Sequence, residues 1–271
     1  HAVKENIMKV EDWIRINKLT PRLVDVLPNG PKGFPTSVFF SSGGVPEVML
    51  KLRNEGLLNL DVITSTGLTL KENLDWWEQS EKRDFVRKQL RNTRNIDPED
   101  VIHSLENSKK KNMTSTVTFP KGNISPEGSV VKSTAIDKSV IDDDGVYRKI
   151  GPARIFISEA DAIKAVKDKG ENGVKAGDIM VIVCGGPKGT GMQEVAQITI
   201  ALKYLSYGKE VALITDGRFS GVSTGACIGH IGPEALDGGP IGKLKENDLI
   251  EINIDTICLL YTSPSPRDSD Q

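Results

Sequence analysis

The chain has 271 residues, with 35 Lys and Arg against 37 Asp and Glu, a net charge of −2, and 38% hydrophobic and 27% charged residues. This is the make-up of a globular protein of one large or two ordinary domains, and it excludes intrinsic disorder, collagen and a polybasic nucleic-acid binder. No run reaches the roughly 18 consecutive apolar residues of a membrane span. Lys4, Glu5, Lys9, Glu11, Asp12 and Arg15 interrupt the region where a secretory core would lie, so a cytoplasmic protein with no membrane and no nucleic-acid partner is expected.

The chain starts at His1, and the pattern at residues 10–16 reads as the interior of a sequence, so a cut is expected there. Residues 23–27 form a short apolar run expected as a strand. Gly43-Gly44-Val45-Pro46 opens a helix with Pro46 suited to its first position, Val45, Val48, Met49 and Leu52 on one face, and Gly56 as the stop. A second strand is expected at 61–64, then a helix through Leu70, Leu74 and Trp77. Charges dominate residues 81–111, with a short helix opening at 97–100, which predicts a surface excursion or a linker. From residue 114 the pattern shifts to alternation, at 115–119, 129–136 and 153–157, which predicts a β-rich region. Ser158, with Asp161 three residues on, caps a helix whose apolar face is Ala162, Ile163 and Val166. A buried strand at 179–183, a helix at 192–207, and strands at 211–215 and 249–254 complete the α/β reading. Residues 258–271 resemble the in-frame translation of a sequencing adaptor and are expected to be non-native, the alternative being a native Pro/Ser-rich tail.

Thirteen of the 26 glycines fall within residues 185–242, about twice the average density, so close or unusual backbone geometry is expected there. Cys184-Gly185-Gly186-Pro187-Lys188-Gly189-Thr190-Gly191 joins a strand to the expected helix and reads either as an ordinary turn or as an anion site made of free amides. Glu194, in the expected first turn, either complements the helix dipole or offers a ligand to a hard cation. In Thr215-Asp216-Gly217-Arg218-Phe219-Ser220-Gly221, Ser220 is either structural or presented in a cleft. Ser220 stands in no Gly-x-Ser-x-Gly elbow and His230 is the only nearby histidine, which argues against a Ser-His-Asp hydrolase. Three cysteines, Cys184, Cys227 and Cys258, make no disulfide framework and no closed four-cysteine site.

These runs carry a resemblance. Residues 212–221, Gly229-His230-Ile231-Gly232-Pro233-Glu234-Ala235 and 238–242, with 122–128, 151–156 and 185–192 upstream in the same order, resemble the dihydroxy-acid and phosphogluconate dehydratase family across residues 1–257. Residues 27–31, 43–50, 73–78 and 218–227 resemble its D-xylonate dehydratase branch, with Val222-Ser223-Thr224 where the amino-acid branch commonly has Gly-Thr-Arg. The resemblance implies that residues 1–110 are the tail of an α/β domain and that 111–257 form a mainly β, barrel-like domain with flanking helices. It implies a hydro-lyase that takes D-xylonate to a 2-keto-3-deoxy-pentonate, with Ser220 as the base, Glu194 as a Mg2+ ligand, and Gly189, Thr190, Gly191, Ser220 and Gly221 on the substrate. A small sugar acid and a homo-oligomer are the implied partners. The implied iron-sulfur cluster has its cysteines, and Mg2+ its other ligands, on an upstream segment that this sequence lacks. Cys184 and Cys227 match none of those positions, so the fragment alone is expected to be inactive. The alternatives are a dihydroxy-acid dehydratase of branched-chain amino-acid synthesis and a non-catalytic module binding an anion or phosphate at 185–191.

Overall fold

The structure, a computed structural model, describes residues 9–113, 115–221 and 223–256; the expected cut at His1 and the adaptor-like segment 258–271 lie outside the described residues. The chain divides into two compact units, one of residues 15–115 and the other of the remainder. No helix among the described residues is long and apolar enough to cross a membrane.

Helix α1 (Val10–Leu19) runs across the start of the first unit, which continues with α2 (Thr36–Ser41), α3 (Gly44–Asn54), α4 (Leu70–Glu78), α5 (Glu81–Arg94) and α6 (Leu105–Lys110). Local chemistry sets several of these starts. Thr69 and Glu72 form a reciprocal capping box on α4, and Ser80 and Ser104 accept the Arg83 and Asn107 amides to cap α5 and α6. The strands expected at 23–27 and 61–64 are single bridges instead, Val24 to Ile102 and Ile63 to Thr69. An apolar run needs an extended partner of matching length to become a strand. Residues 101–103 supply only two rungs, Asp25 N to Val101 O and His103 N to Leu23 O, before the chain turns into α6.

Two further expectations fail here because of buried charge. Val45 is 59% exposed, and α3 turns Gly44, Glu47 and Leu50 inward. The Glu47 carboxylate accepts from Arg83 Nε at 2.8 Å and Nη2 at 2.9 Å and lies 3.2 Å from Arg87 Nη1. A carboxylate is tolerated in the interior only with partners of this kind, and they fix the rotation of the helix. Those partners come from α5, inside the stretch expected to be an excursion or linker. That helix buries Arg87 and Leu90, and Leu90 packs with Val38, Val101 and Ile102. Burial pushes the Glu47 carboxyl up, but the Arg83 hydrogen bond and the charges of Arg87, Arg83 and Lys51 outweigh it and hold the group below its ordinary value. The stabilisation is therefore complete above the unfolded-state pKa and lost as pH falls through the depressed folded one. Glu47→Gln is expected to lower stability by about 1.5–3 kcal/mol at neutral pH. Urea unfolding at pH 7 and in acid should show that deficit shrinking as the wild-type carboxylate protonates.

The second unit contains β1 (Gly128–Val131), β2 (Val146–Phe156), α7 (Glu159–Lys167), β3 (Ile179–Ile182), α8 (Pro187–Thr190), α9 (Gln197–Lys203), β4 (Ala212–Thr215), β5 (Ala226–Gly232) and β6 (Leu249–Asp255). They form one six-stranded sheet in the order β1-β5-β4-β3-β2-β6. Strands β2 to β5 pair in parallel, and both edge strands pair antiparallel. Every residue of β3 and β4 is buried, as expected for parallel strands covered on both faces, whereas β6 alternates buried with exposed residues. On one face Ile179, Val181 and Ile214 meet side chains from both edges, Val131 of β1 and Ile250, Ile252 and Ile254 of β6. The sheet therefore curls into a half-barrel. On the other face Met180, Ile182 and Leu213 pack against Ala162 and Val166 of α7 and Ile198 and Leu202 of α9.

Candidate active site

An open parallel sheet places its ligand crevice at the carboxyl ends of its strands. Here the loops after β3, β4 and β5 meet, and one carboxylate joins all three. Asp216, 1% exposed, accepts from the amides of Gly185 at 2.8 Å, Cys184 at 3.1 Å and Ala235 at 2.9 Å. Glu234 does the same one turn on, taking the Lys188 amide at 2.9 and 3.0 Å. The amides of Cys184, Gly185 and Lys188, in the loop expected as a turn or an anion site, are thus occupied by carboxylates of the protein itself. Added negative charge beside them is disfavoured.

The glycines follow from this crowding. A Cβ on Gly189 would lie 2.0 Å from the Cys184 carbonyl, and one on Gly217 would lie 2.9 Å from that of Gln193. Thr190 Oγ1 donates to the Gly185 carbonyl at 3.0 Å and accepts from the Gln193 amide at 2.9 Å, and Gly191 closes α8 with φ +70°. These contacts of Thr190 and Gly191 are internal to the loop.

The helix expected over 192–207 begins only at Gln197, so Glu194 does not sit in a first helical turn. Residues 192–195 pair instead with Arg218. Its amide donates to Gln193 O at 3.2 Å, its carbonyl accepts from Val195 N at 2.9 Å, and its Nε donates to Met192 O at 2.9 Å. Glu194 bridges Arg218 in parallel fashion, so the Glu194 segment and the Ser220 loop run side by side. Ser220 is half-buried. Its amide donates to Ser223 Oγ at 3.1 Å and its carbonyl accepts from Ser223 N at 2.9 Å. The carbonyl of exposed Gly221 accepts from Lys132 Nζ at 2.5 Å. A cleft of about 280 Å³ opens beside these loops, lined by Glu127, Met192, Asp216, His230 and Glu234 among others. His230 stands edge-on to Phe219, and burial, then Arg218, lowers its pKa.

The metal groups implied by the resemblance fit this chain unequally. Cys227 is buried with its thiol pushed up to about 12, and burial followed by Asp216 and Glu234 raises that of Cys184. A cluster ligand also needs further ligands beside it, and neither cysteine has them among the described residues. Among the described residues no three His, Cys, Asp or Glu side chains group as a metal site. Glu194 can still supply one oxygen ligand. Its contact to Arg218 Nη1 is 3.4 Å between side chains 36% and 53% exposed, a pair weak enough for a divalent cation to displace.

Asp216, Glu234 and Lys132 are the residues that sequence reasoning passed over. The first two lie inside motifs already noted, where a carboxylate following an apolar strand or a Gly-Pro step was the available signal. Lys132 ends the apolar run of β1, and nothing in one sequence separates it from a solvated lysine.

Residues 1–73 match the family model described as Dihydroxy-acid/6-phosphogluconate dehydratase N-terminal, and residues 100–263 match the C-terminal one. The chain is 60% identical over 256 residues to D-xylonate dehydratase YjhG of Escherichia coli (strain K12), covering 94% of this chain and 38% of that protein. It is 58% identical over 259 residues to D-xylonate dehydratase YagF of the same strain, covering 96% and 39%. To the dihydroxy-acid dehydratase of Renibacterium salmoninarum it is 40% identical over 252 residues, covering 91% and 38%. The chain thus spans about two fifths of the length of these curated relatives. Matched by the C-terminal family model over more than half its length, with the site loops inside that match, the chain belongs to the dihydroxy-acid/6-phosphogluconate dehydratase family.

Proposed function

We propose that the whole protein is a sugar-acid dehydratase that removes water from D-xylonate to give a 2-keto-3-deoxy-pentonate. The observation that carries this reading is the gap in similarity, 60% to a D-xylonate dehydratase against 40% to a dihydroxy-acid dehydratase, over a segment that contains the Ser220 loop.

In this reading Ser220, as the alkoxide, takes the proton from carbon 2. The electron pair of that C–H bond becomes the C2–C3 double bond as hydroxide leaves carbon 3 and takes up the serine's proton as water, and the resulting enol loses its oxygen-bound proton and gains one at carbon 3 to become the 2-keto acid. One water is lost in all. The glycine-rich loops of Gly189, Thr190, Gly191 and Gly221 border the substrate and exclude bulk water from it. Glu194 would give one oxygen to Mg2+, which when bound would supply positive charge that acidifies the carbon 2 proton.

The test is substrate discrimination. The whole protein should show kcat/KM for D-xylonate at least about 100-fold above that for 2,3-dihydroxyisovalerate, because a site built to bond the extra hydroxyls leaves polar groups unpaired around the branched acid. A preference for the branched acid would reverse the assignment. Glu194→Gln should weaken Mg2+ retention about tenfold and regain activity in excess Mg2+, since one anionic ligand is lost from a hard cation. Unchanged Mg2+ dependence would remove Glu194 from the metal's ligands.

A further inference from the structure

Lys132 is 6% exposed, just past the end of β1. Its ammonium donates at 2.5 Å to the carbonyl of Gly221, the residue after Ser220. Among the described residues it is ion-paired with no carboxylate, unlike the buried Arg87, which has two acidic partners. An interior lysine without a counter-charge is expensive, and burial alone lowers its pKa here. Fold maintenance does not account for that cost, because the loop has other ties. The Ser220 amide bonds Ser223 Oγ, the Ser223 amide bonds the Ser220 carbonyl, and the Gly225 amide bonds the Ala135 carbonyl at 2.9 Å. What the lysine adds is an ammonium group on the backbone carbonyl of the residue that follows the serine.

We infer that Lys132 is a positioning residue for the dehydration: held on the Gly221 carbonyl, its ammonium supplies the protein's own positive charge beside Ser220 when the serine oxygen is negative. A serine hydroxyl is a poor base in water, and a nearby cation in a poorly solvated setting favours its ionised form. Lys132 transfers no proton in this scheme. The inference rests on the reading of Ser220 as the base, so both residues are tested together.

In the whole protein assayed on D-xylonate, Lys132→Gln, Lys132→Met and Ser220→Ala are compared with wild type. Gln keeps a neutral donor for the Gly221 carbonyl and removes only the charge, so it reads out even where Met fails to fold. Lys132→Gln is expected to lower kcat about 10- to 100-fold. Its KM, Mg2+ affinity and Tm should stay near wild type, and Lys132→Arg should restore part of the loss. A wild-type kcat in Lys132→Gln, with Ser220→Ala inactive, overturns the role of Lys132 and leaves the serine base standing. Full activity in Ser220→Ala overturns the serine base and the role of Lys132 with it. A loss in Lys132→Gln that appears as raised KM or lowered Tm with kcat unchanged marks Lys132 as structural and also overturns the inference.

Discussion

Ser220→Ala in the whole protein is expected to lower kcat on D-xylonate about 10²- to 10⁴-fold, the range that a positioned general base contributes, with KM changed no more than a few-fold. The hydroxyl is small, and the loop that carries it is held by backbone atoms and by Ser223, Lys132 and Ala135, so removing one oxygen leaves the binding surface in place. Steady-state kinetics and Tm, measured together, check this. Excess Mg2+ should not rescue the variant, in contrast to Glu194→Gln. A rise in KM with kcat intact would mean that Ser220 only binds substrate.

The second large effect is expected at Asp216. Asp216→Asn keeps the shape of the side chain but turns an NH2 group toward amides that now donate to two carboxylate oxygens. The Cys184, Gly185 and Ala235 amides cannot all be satisfied, and at least one is left buried without a partner. Denaturant unfolding should show a loss of about 3–5 kcal/mol, because the three loops after β3, β4 and β5 are joined at this one carboxylate. A loss below about 1 kcal/mol would mean that other contacts hold the loops together and that Asp216 is not their hub.

Hydrophobic period alone was enough for most of the sheet. The runs at 179–183, 211–215 and 249–254 became β3, β4 and β6 because burial on both faces, or on alternate residues, writes itself directly into composition. The same reasoning misjudged the first unit. There the interior contains ion pairs, and Glu47, Arg83 and Arg87 look like surface residues until the structure pairs them. It also overextended the helix before Gln197, because the pairing of residues 193–195 with Arg218 is a contact between segments about 25 residues apart that leaves no local pattern. At the site, Glu194 and Ser220 were legible as chemistry-bearing side chains in glycine-rich runs. The density of glycine was legible too, and its cause is the close backbone approach at Gly189 and Gly217. Asp216, Glu234 and Lys132 were not assigned, because their roles consist of bonds to backbone atoms that only the folded loops bring within reach.

If Ser220 takes the carbon 2 proton, cleavage of the C2–H bond must depend on its hydroxyl. With D-xylonate deuterated at carbon 2, the wild-type whole protein should break the C–D bond, releasing deuterium to water or carrying it to carbon 3 of the product, with a primary isotope effect on kcat/KM. Ser220→Ala, still binding D-xylonate, should leave the label on carbon 2. Loss of the label from the Ser220→Ala reaction at the wild-type rate would assign the proton to another base.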